Sequence, residues 1–223
     1  MKKIDLNVDI GEGFEFDERL MLYASSANIC CGEHAGSWQL TQATIGLALD
    51  HGIRIGMHPG YPNRADMGRK SLQEHEIGKA SDSLMRQIEQ FFNFVPAAYL
   101  KPHGAFYGDS QDPVHPAFAI LNSALTRYAL PLMGLPGTAH ENAPYGFIRE
   151  GFVDRAYDSA GCLVPRSHPS AVHQSPDVIG KQAVQLAPLV DSLCLHGDTE
   201  NCVEIAAFVV KVLLENGYEV GAP

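Results

Sequence analysis

Four histidines stand at or just past the ends of short apolar runs, each close to a glycine. They are His34 in "CGEHAG", His58 in "MHPGYP", His103 in "LKPHGAFYG" and His196 in "SLCLHGD". Imidazole takes and gives protons near neutral pH and is also a common metal ligand. One such histidine is an ordinary turn residue; four at separate run ends describe a site. Carboxylates accompany them. Asp9 and Glu12 are three apart in "DIGEG". They read either as a base whose pKa the neighbouring carboxylate raises, or as a helix N-cap or an ion-pair partner of Lys101 or Arg155. "VDRA" places Asp154 beside Arg155, as a fixed ion pair or with the guanidinium free to grip a substrate carboxylate with two parallel bonds. In "HGDTEN", Asp198 or Thr199 caps a following helix, or that helix start binds an anion.

These residues have to be positioned, and the pattern around them shows how. In "KIDLNVDI", Ile4, Leu6, Val8 and Ile10 share one parity and Asp5, Asn7 and Asp9 the other, the period of a strand. Further strands are expected at 26–31, 53–58, 97–103, 130–137, 151–157 and 192–198, and helices at 38–52, 74–94, 114–129, 176–190 and 199–216. Alternation of this kind means parallel strands with helical crossovers. Polar groups end six of the seven strands: Asp9 and Glu12; Asn28, Glu33 and His34; His58; Lys101 and His103; Asp154 and Arg155; His196 and Asp198. Only the fifth, ending near Gly134, has none. An open sheet gathers ligand groups at one switch point, whereas a barrel gathers them at the C-terminal ends of all its strands. A single α/β barrel over residues 1–223 is therefore expected, with Asp5, Asn7 and Asp9 facing its interior and Asp9 nearest the mouth.

Composition excludes several classes. The 223 residues are 45% hydrophobic with a formal net charge of −10, not the basic footprint of a nucleic-acid binder. No apolar run is long enough to span a membrane, and "MKKIDLNVD" lacks the apolar stretch of a signal peptide, so a cytoplasmic protein is expected. Cys30, Cys31, Cys162, Cys194 and Cys202 form no CxxC and are read as buried free thiols. His51, His75, His115, His140, His168 and His173 are expected on the surface. No GxxxxGK[ST], strand-to-helix GxGxxG or GxSxG occurs, which argues against a phosphate loop and a serine-hydrolase elbow.

Six blocks, "DLNVDIGEG", "SSANICCGEHAG", "GMHPGYPNRADMGRK", "LKPHGAFYG", "EGFVDRAYDSAGCLVPR" and "SLCLHGDTEN", follow one another along nearly the whole chain. In them the sequence resembles the LamB/YcsF family, the A subunit of bacterial ATP-dependent 5-oxoprolinase. The resemblance implies an irregular (β/α)7 barrel of the glycoside hydrolase/deacetylase type. It also implies ATP-coupled opening of the lactam 5-oxo-L-proline to L-glutamate, with ATP and Mg engaged through two further subunits. Block by block it points to Asp9, Glu12, Asn28, His34, His58, Lys101, His103, Asp154, Arg155, His196 and Asp198. Glu33, Ser37 and Asn63 depart from the family pattern, and the chain is short for the family.

On this reading Asp9 is the base on water. Lys101 and His103 polarise the lactam oxygen or hold phosphate, and Arg155 grips the substrate carboxylate. His34, His58 and His196 position groups or move protons, and no metal is needed. One rival is a metal-dependent amidohydrolase or deacetylase with its ion on Asp9, His58 and His103. Another is a non-catalytic protein that senses a small acid for its partners. A homo-oligomer is compatible with the sequence.

Overall fold

The computed structural model describes residues 1–222, the side chain of Glu74 excepted. The polar parity of the first strand turns inward. β1 (Lys2–Ile10) pairs in parallel with β2 (Ser26–Cys30) on one side and with β7 (Ser192–His196) on the other. Around the sheet follow β3 (Arg54–His58), β4 (Tyr99–Leu100), β5 (Leu132–Gly134) and β6 (Phe147–Phe152), and pairing of β1 with β2 closes a seven-stranded barrel. An eighth strand, β8 (Tyr218–Val220), pairs with Lys2–Ile4, ahead of the residues β1 gives to β2. The expected barrel is present.

Register sets the interior in layers. Asp5 lies beside Ser192, Asn7 beside Ser26 and Cys194, and Asp9 beside Asn28 and His196. These partners explain how Asp and Asn survive in a buried strand. Asp5 accepts hydroxyl bonds from Ser25 (2.6 Å), Ser26 (2.7 Å) and Ser192 (2.5 Å). Asn28 Nδ2 donates to Asn7 Oδ1 at 2.6 Å and to Asp9 Oδ1 at 2.7 Å, while the Tyr99 hydroxyl donates to Asn28 Oδ1 at 2.6 Å. A buried polar group is tolerated when bonded in this way.

The opposite parity, Ile4, Leu6, Val8 and Ile10, packs outward against the helices. These are α2 (Trp38–Asp50), α3 (Ile77–Phe94), α5 (Pro116–Tyr128), α6 (Pro176–Leu186) and α7 (Cys202–Glu215), with the short α1 (Asp17–Met21) and α4 (Gly104–Asp109) between. Starts follow the sequence. The Ser37 side chain caps α2 by accepting from Leu40 N, and Pro116 and Pro176 open α5 and α6. Ser37 and Asn63, two of the departures from the family pattern, thus serve as local caps, Asn63 accepting from Ala65 N.

Several expectations need correction. The sixth strand, expected at 151–157, runs over Phe147–Phe152, so Asp154 and Arg155 sit on the loop beyond it. The fourth shrinks from 97–103 to Tyr99–Leu100, and α1, α4 and β8 are additions to the expected elements. Cys162 is exposed, unlike the other four thiols. His140 is fully buried. Its Nε2 lies 2.9 Å from Ser110 Oγ, and its ring packs where a Cβ on Gly134 would be 2.4 Å from Nδ1. That is why the fifth strand ends in glycine and offers no polar group.

Two measurable consequences follow from this packing. On β3, a Cβ at Gly56 would lie 2.2 Å from the ring of Tyr99, whose far end is held by Asn28. Gly56→Ala should therefore cost about 1–3 kcal/mol, read as a lower urea midpoint. Burial also pushes the His140 pKa down to about 4, against about 6.5 for a free histidine. Between these values the unfolded chain holds a proton that the folded chain lacks, so stability is lost as pH falls through this window. The slope is at most about 1.4 kcal/mol per pH unit. Urea titrations at several pH values should show His140→Gln with a flatter profile than the parent chain.

Candidate active site

At the C-terminal end of the barrel a cavity of about 970 Å³ is lined by Asp9, His58, Lys101, His103, Phe152 and His196, with Arg69, Arg155 and Arg166 at its wall. Lys101 organises the floor. Its ammonium, almost wholly buried, reaches Asp9 Oδ1 at 2.8 Å, Glu150 Oε1 at 2.8 Å, Cys194 Sγ at 3.1 Å and Asn7 Oδ1 at 3.3 Å. Burial opposes its charge, but Asp9, Cys194 and Glu150 hold its pKa well above the usual lysine range. Glu150 is fully buried on β6 and is absent from the sequence candidates, because the sixth strand is expected to begin at 151, one residue beyond it.

The same ammonium decides the state of Asp9. Burial alone would raise the pKa of this carboxyl, but the Lys101 ammonium holds it well below the usual carboxylate range. That reverses the expectation of a raised pKa, and a carboxylate so stabilised is a poor base. The better base stands on β7. His196 Nδ1 lies 3.0 and 2.9 Å from the two Asp154 oxygens, and His196 N donates to Asp154 Oδ2 at 3.0 Å. A carboxylate accepts only, so Nδ1 carries the proton and Nε2 is left with a lone pair. Nε2 is 3.9 Å from Asp9 Oδ2, and the ring lines the cavity. Asp154 is buried, yet the His196 beside it holds its pKa below the ordinary value.

Asp154 is therefore the partner of His196 and not of Arg155. Arg155 Nε donates to Ala171 O at 3.1 Å and its Nη2 to Val164 O at 2.7 Å, so this guanidinium chiefly pins the loop after β6. Asp198 caps no helix; Asn201 stands at the start of α7. Instead Asp198 Oδ2 accepts from Arg69 at 2.8 Å and from Arg166, drawing three loops together across the mouth. Arg69 and Arg166 belong to "GMHPGYPNRADMGRK" and "EGFVDRAYDSAGCLVPR", but nothing in their local spacing marks them out.

The remaining candidates form one compact cluster. His34 stacks on His103 with centroids 3.9 Å apart, and His58 meets His103 edge-on at 4.8 Å. Gly60 makes room, since a Cβ there would lie 2.7 Å from His34 Nδ1. His58 Nδ1 faces Lys101 O at 2.8 Å and His103 Nε2 faces Met67 O at 2.8 Å. Carbonyls only accept, so both these nitrogens carry protons. In the neutral rings the lone pairs then sit on His58 Nε2 and His103 Nδ1, which are 2.9 Å apart. Glu12 Oε1 lies 3.3 Å from His103 Nδ1 and 3.5 Å from His34 Nε2, and Asp9 Oδ2 lies 3.5 Å from His58 Nε2. Burial pushes the His103 pKa well below the ordinary histidine value. All eleven sequence candidates thus lie at this end of the barrel, with Asn28 beneath the floor and Asp198 at the rim.

The chain matches the LamB/YcsF family over residues 4–223. It is 37% identical to the A subunit of 5-oxoprolinase from Streptomyces avermitilis over 248 aligned positions, covering 98% of this chain and 99% of that protein. Among solved structures it is similar to the lactam utilization protein from Thermus thermophilus, at 29% identity and a TM-score of 0.82, covering 99% of this chain and 100% of that one. A family 4 carbohydrate esterase from Streptomyces lividans shares the fold at a TM-score of 0.54 and 11% identity, over 99% of this chain and 92% of that one. The barrel is of the glycoside hydrolase/deacetylase type.

If the Lys101 ammonium organises the floor, Lys101→Met should leave Asp9 and Glu150 buried without their counter-charge. A loss of about 3–5 kcal/mol is expected. The check is urea unfolding of the variant and of Lys101→Met/Glu150→Gln, which should recover part of the loss.

Proposed function

Given that the chain belongs to the LamB/YcsF family, we propose that it is the A subunit of a 5-oxoprolinase. It opens the lactam of 5-oxo-L-proline to L-glutamate with two partner subunits that engage ATP. One observation carries the chemical part of this reading: a histidine aligned by a buried aspartate, Asp154–His196, faces an arginine-walled cavity.

Opening a lactam adds water across the C–N bond. Oxygen goes to the carbonyl carbon and a proton to the leaving nitrogen. His196 Nε2 takes the proton from water as its oxygen attacks and returns it to nitrogen as the ring opens, and Asp154 stabilises the imidazolium between the two steps. Asp9 supports this imidazolium as a fixed charge and is not itself the base. Arg69 and Arg166 are the cations placed to meet the substrate carboxylate, the role first expected of Arg155.

Hydrolysis of a five-membered lactam is uphill near neutral pH, which gives ATP a place in the overall reaction. The residues here do not fit a triphosphate. Arg155 donates to backbone carbonyls, and the sequence has no glycine-rich phosphate cradle. ATP is therefore assigned to the partners, and localisation in the cytoplasm follows that of the complex.

The expected result is that glutamate and phosphate form together only when this chain, both partners, ATP and 5-oxoproline are combined. Glutamate formed by this chain alone, or by the partners without it, would refute the proposal. Within the complete mixture, His196→Gln should lower turnover by about 10²–10⁴-fold. Asp154→Asn should lower kcat more than it raises KM, because it misorients the ring without touching the substrate.

A further inference from the structure

The donor cluster beside the cavity does more than the lactam reading requires of it. Two imidazole lone pairs, His58 Nε2 and His103 Nδ1, face one another at 2.9 Å. Glu12 Oε1 stands 3.3 Å from the second and has no hydrogen-bond partner among the described residues, although the Glu12 side chain is only 5% exposed. His34 Nε2, fully buried, likewise has no hydrogen-bond partner among the described residues and is 3.5 Å from the same oxygen. Electron pairs turned toward one another without a donor repel, and each unpaired buried atom costs stability. A positive centre among them removes the conflict. A single proton between the two imidazoles would satisfy those nitrogens but supply no new donor to Glu12 Oε1.

From this arrangement we infer a binding site for one divalent transition-metal ion of the zinc class, with Glu12 Oε1, His58 Nε2 and His103 Nδ1 as its ligands. Their donor atoms all lie within 4.8 Å of one another. Tetrahedral ligands about 2.1 Å from zinc are separated by roughly 3.4 Å, so small side-chain shifts complete the shell. The surroundings suit a metal as well. Each ligating ring donates its other N–H to a backbone carbonyl, Lys101 O or Met67 O, the outer-shell bond that fixes tautomer and orientation in metal sites. Two nitrogens and one carboxylate oxygen favour zinc, cobalt or iron over magnesium, which prefers an all-oxygen shell. Both histidines also line the cavity, so small molecules reach the site from there.

The expected ligand set therefore changes. The sequence favours a site without metal, and its metal alternative uses Asp9. The structure gives Asp9 to Lys101 and supplies Glu12 instead. The second donor group in the barrel, Asp9, Cys194 and His196, is no competitor, because the Lys101 ammonium already sits on Asp9 and Cys194.

The test needs neither substrate nor partners, so its result is independent of the lactam proposal. The full chain is stripped with a chelator, dialysed, and titrated calorimetrically with zinc chloride and, separately, with magnesium chloride. One zinc per chain is expected, with no comparable heat from magnesium, and cobalt bound in place of zinc should give visible d–d absorption bands. Glu12→Gln keeps the shape of the side chain and removes its charge; it should weaken zinc binding at least tenfold while circular dichroism shows an intact fold. His58→Gln, checked in the same way, should do likewise. Absence of stoichiometric zinc binding by the folded parent chain overturns the inference. Zinc binding unchanged in both folded variants overturns it equally.

Discussion

An ammonium group inside a protein is costly unless several partners surround it, and in this barrel the position of Lys101 fixes what its neighbours can be. Its contacts join β1, β6 and β7 to the end of β4 around one charge. Asp9 is ionised because of it, and Glu150 has a reason to be buried. The adjacent backbone carbonyl of Lys101 also sets the tautomer of His58. One residue thus governs the electrostatics of the floor and the orientation of the first ring of the histidine cluster.

The division of labour above the floor follows. Asp9, which looks like a base by type and position, is held too acidic to act as one. His196 owes its alignment to Asp154, a group on the next loop. Glu12 stays clear of the ammonium and turns to the rings of His34 and His103. Three carboxylates of similar appearance in the sequence therefore serve as a fixed charge, a ring-orienting acceptor and a donor atom facing lone pairs. Their surroundings, not their residue type, separate these roles.

Much of the architecture is legible in the sequence because it is periodic. The alternation in residues 4–10 and the polar groups at six strand ends are enough to place a barrel and its working face. What escapes lacks period or relies on distant partners. Phe147–Phe152 contains a glutamate whose counter-charge, Lys101, lies just past β4, so no local pattern marks it. β8 is three residues long and exists only because β1 offers it an edge. The link of Arg69 and Arg166 through Asp198 joins residues up to 129 positions apart, and no local pattern announces it. His140 reads as a surface residue because only the packing against Gly134 reveals its burial.

The hydrogen-bonded interior separates two regimes of sequence change. Outward-facing apolar residues of the strands are held by nondirectional packing, where one aliphatic side chain can replace another of similar volume. Asp5 is different: three serines from two strands and the loop before β2 converge on its carboxylate. Replacing it alone leaves three hydroxyls without an acceptor, and losing a serine alone leaves the carboxylate short of a donor. Substitutions on this inner face are therefore coupled across strands, so that a change acceptable in one background is harmful in another. Grafting single interior residues between related barrels should fail where transfer of the whole hydrogen-bonded layer succeeds.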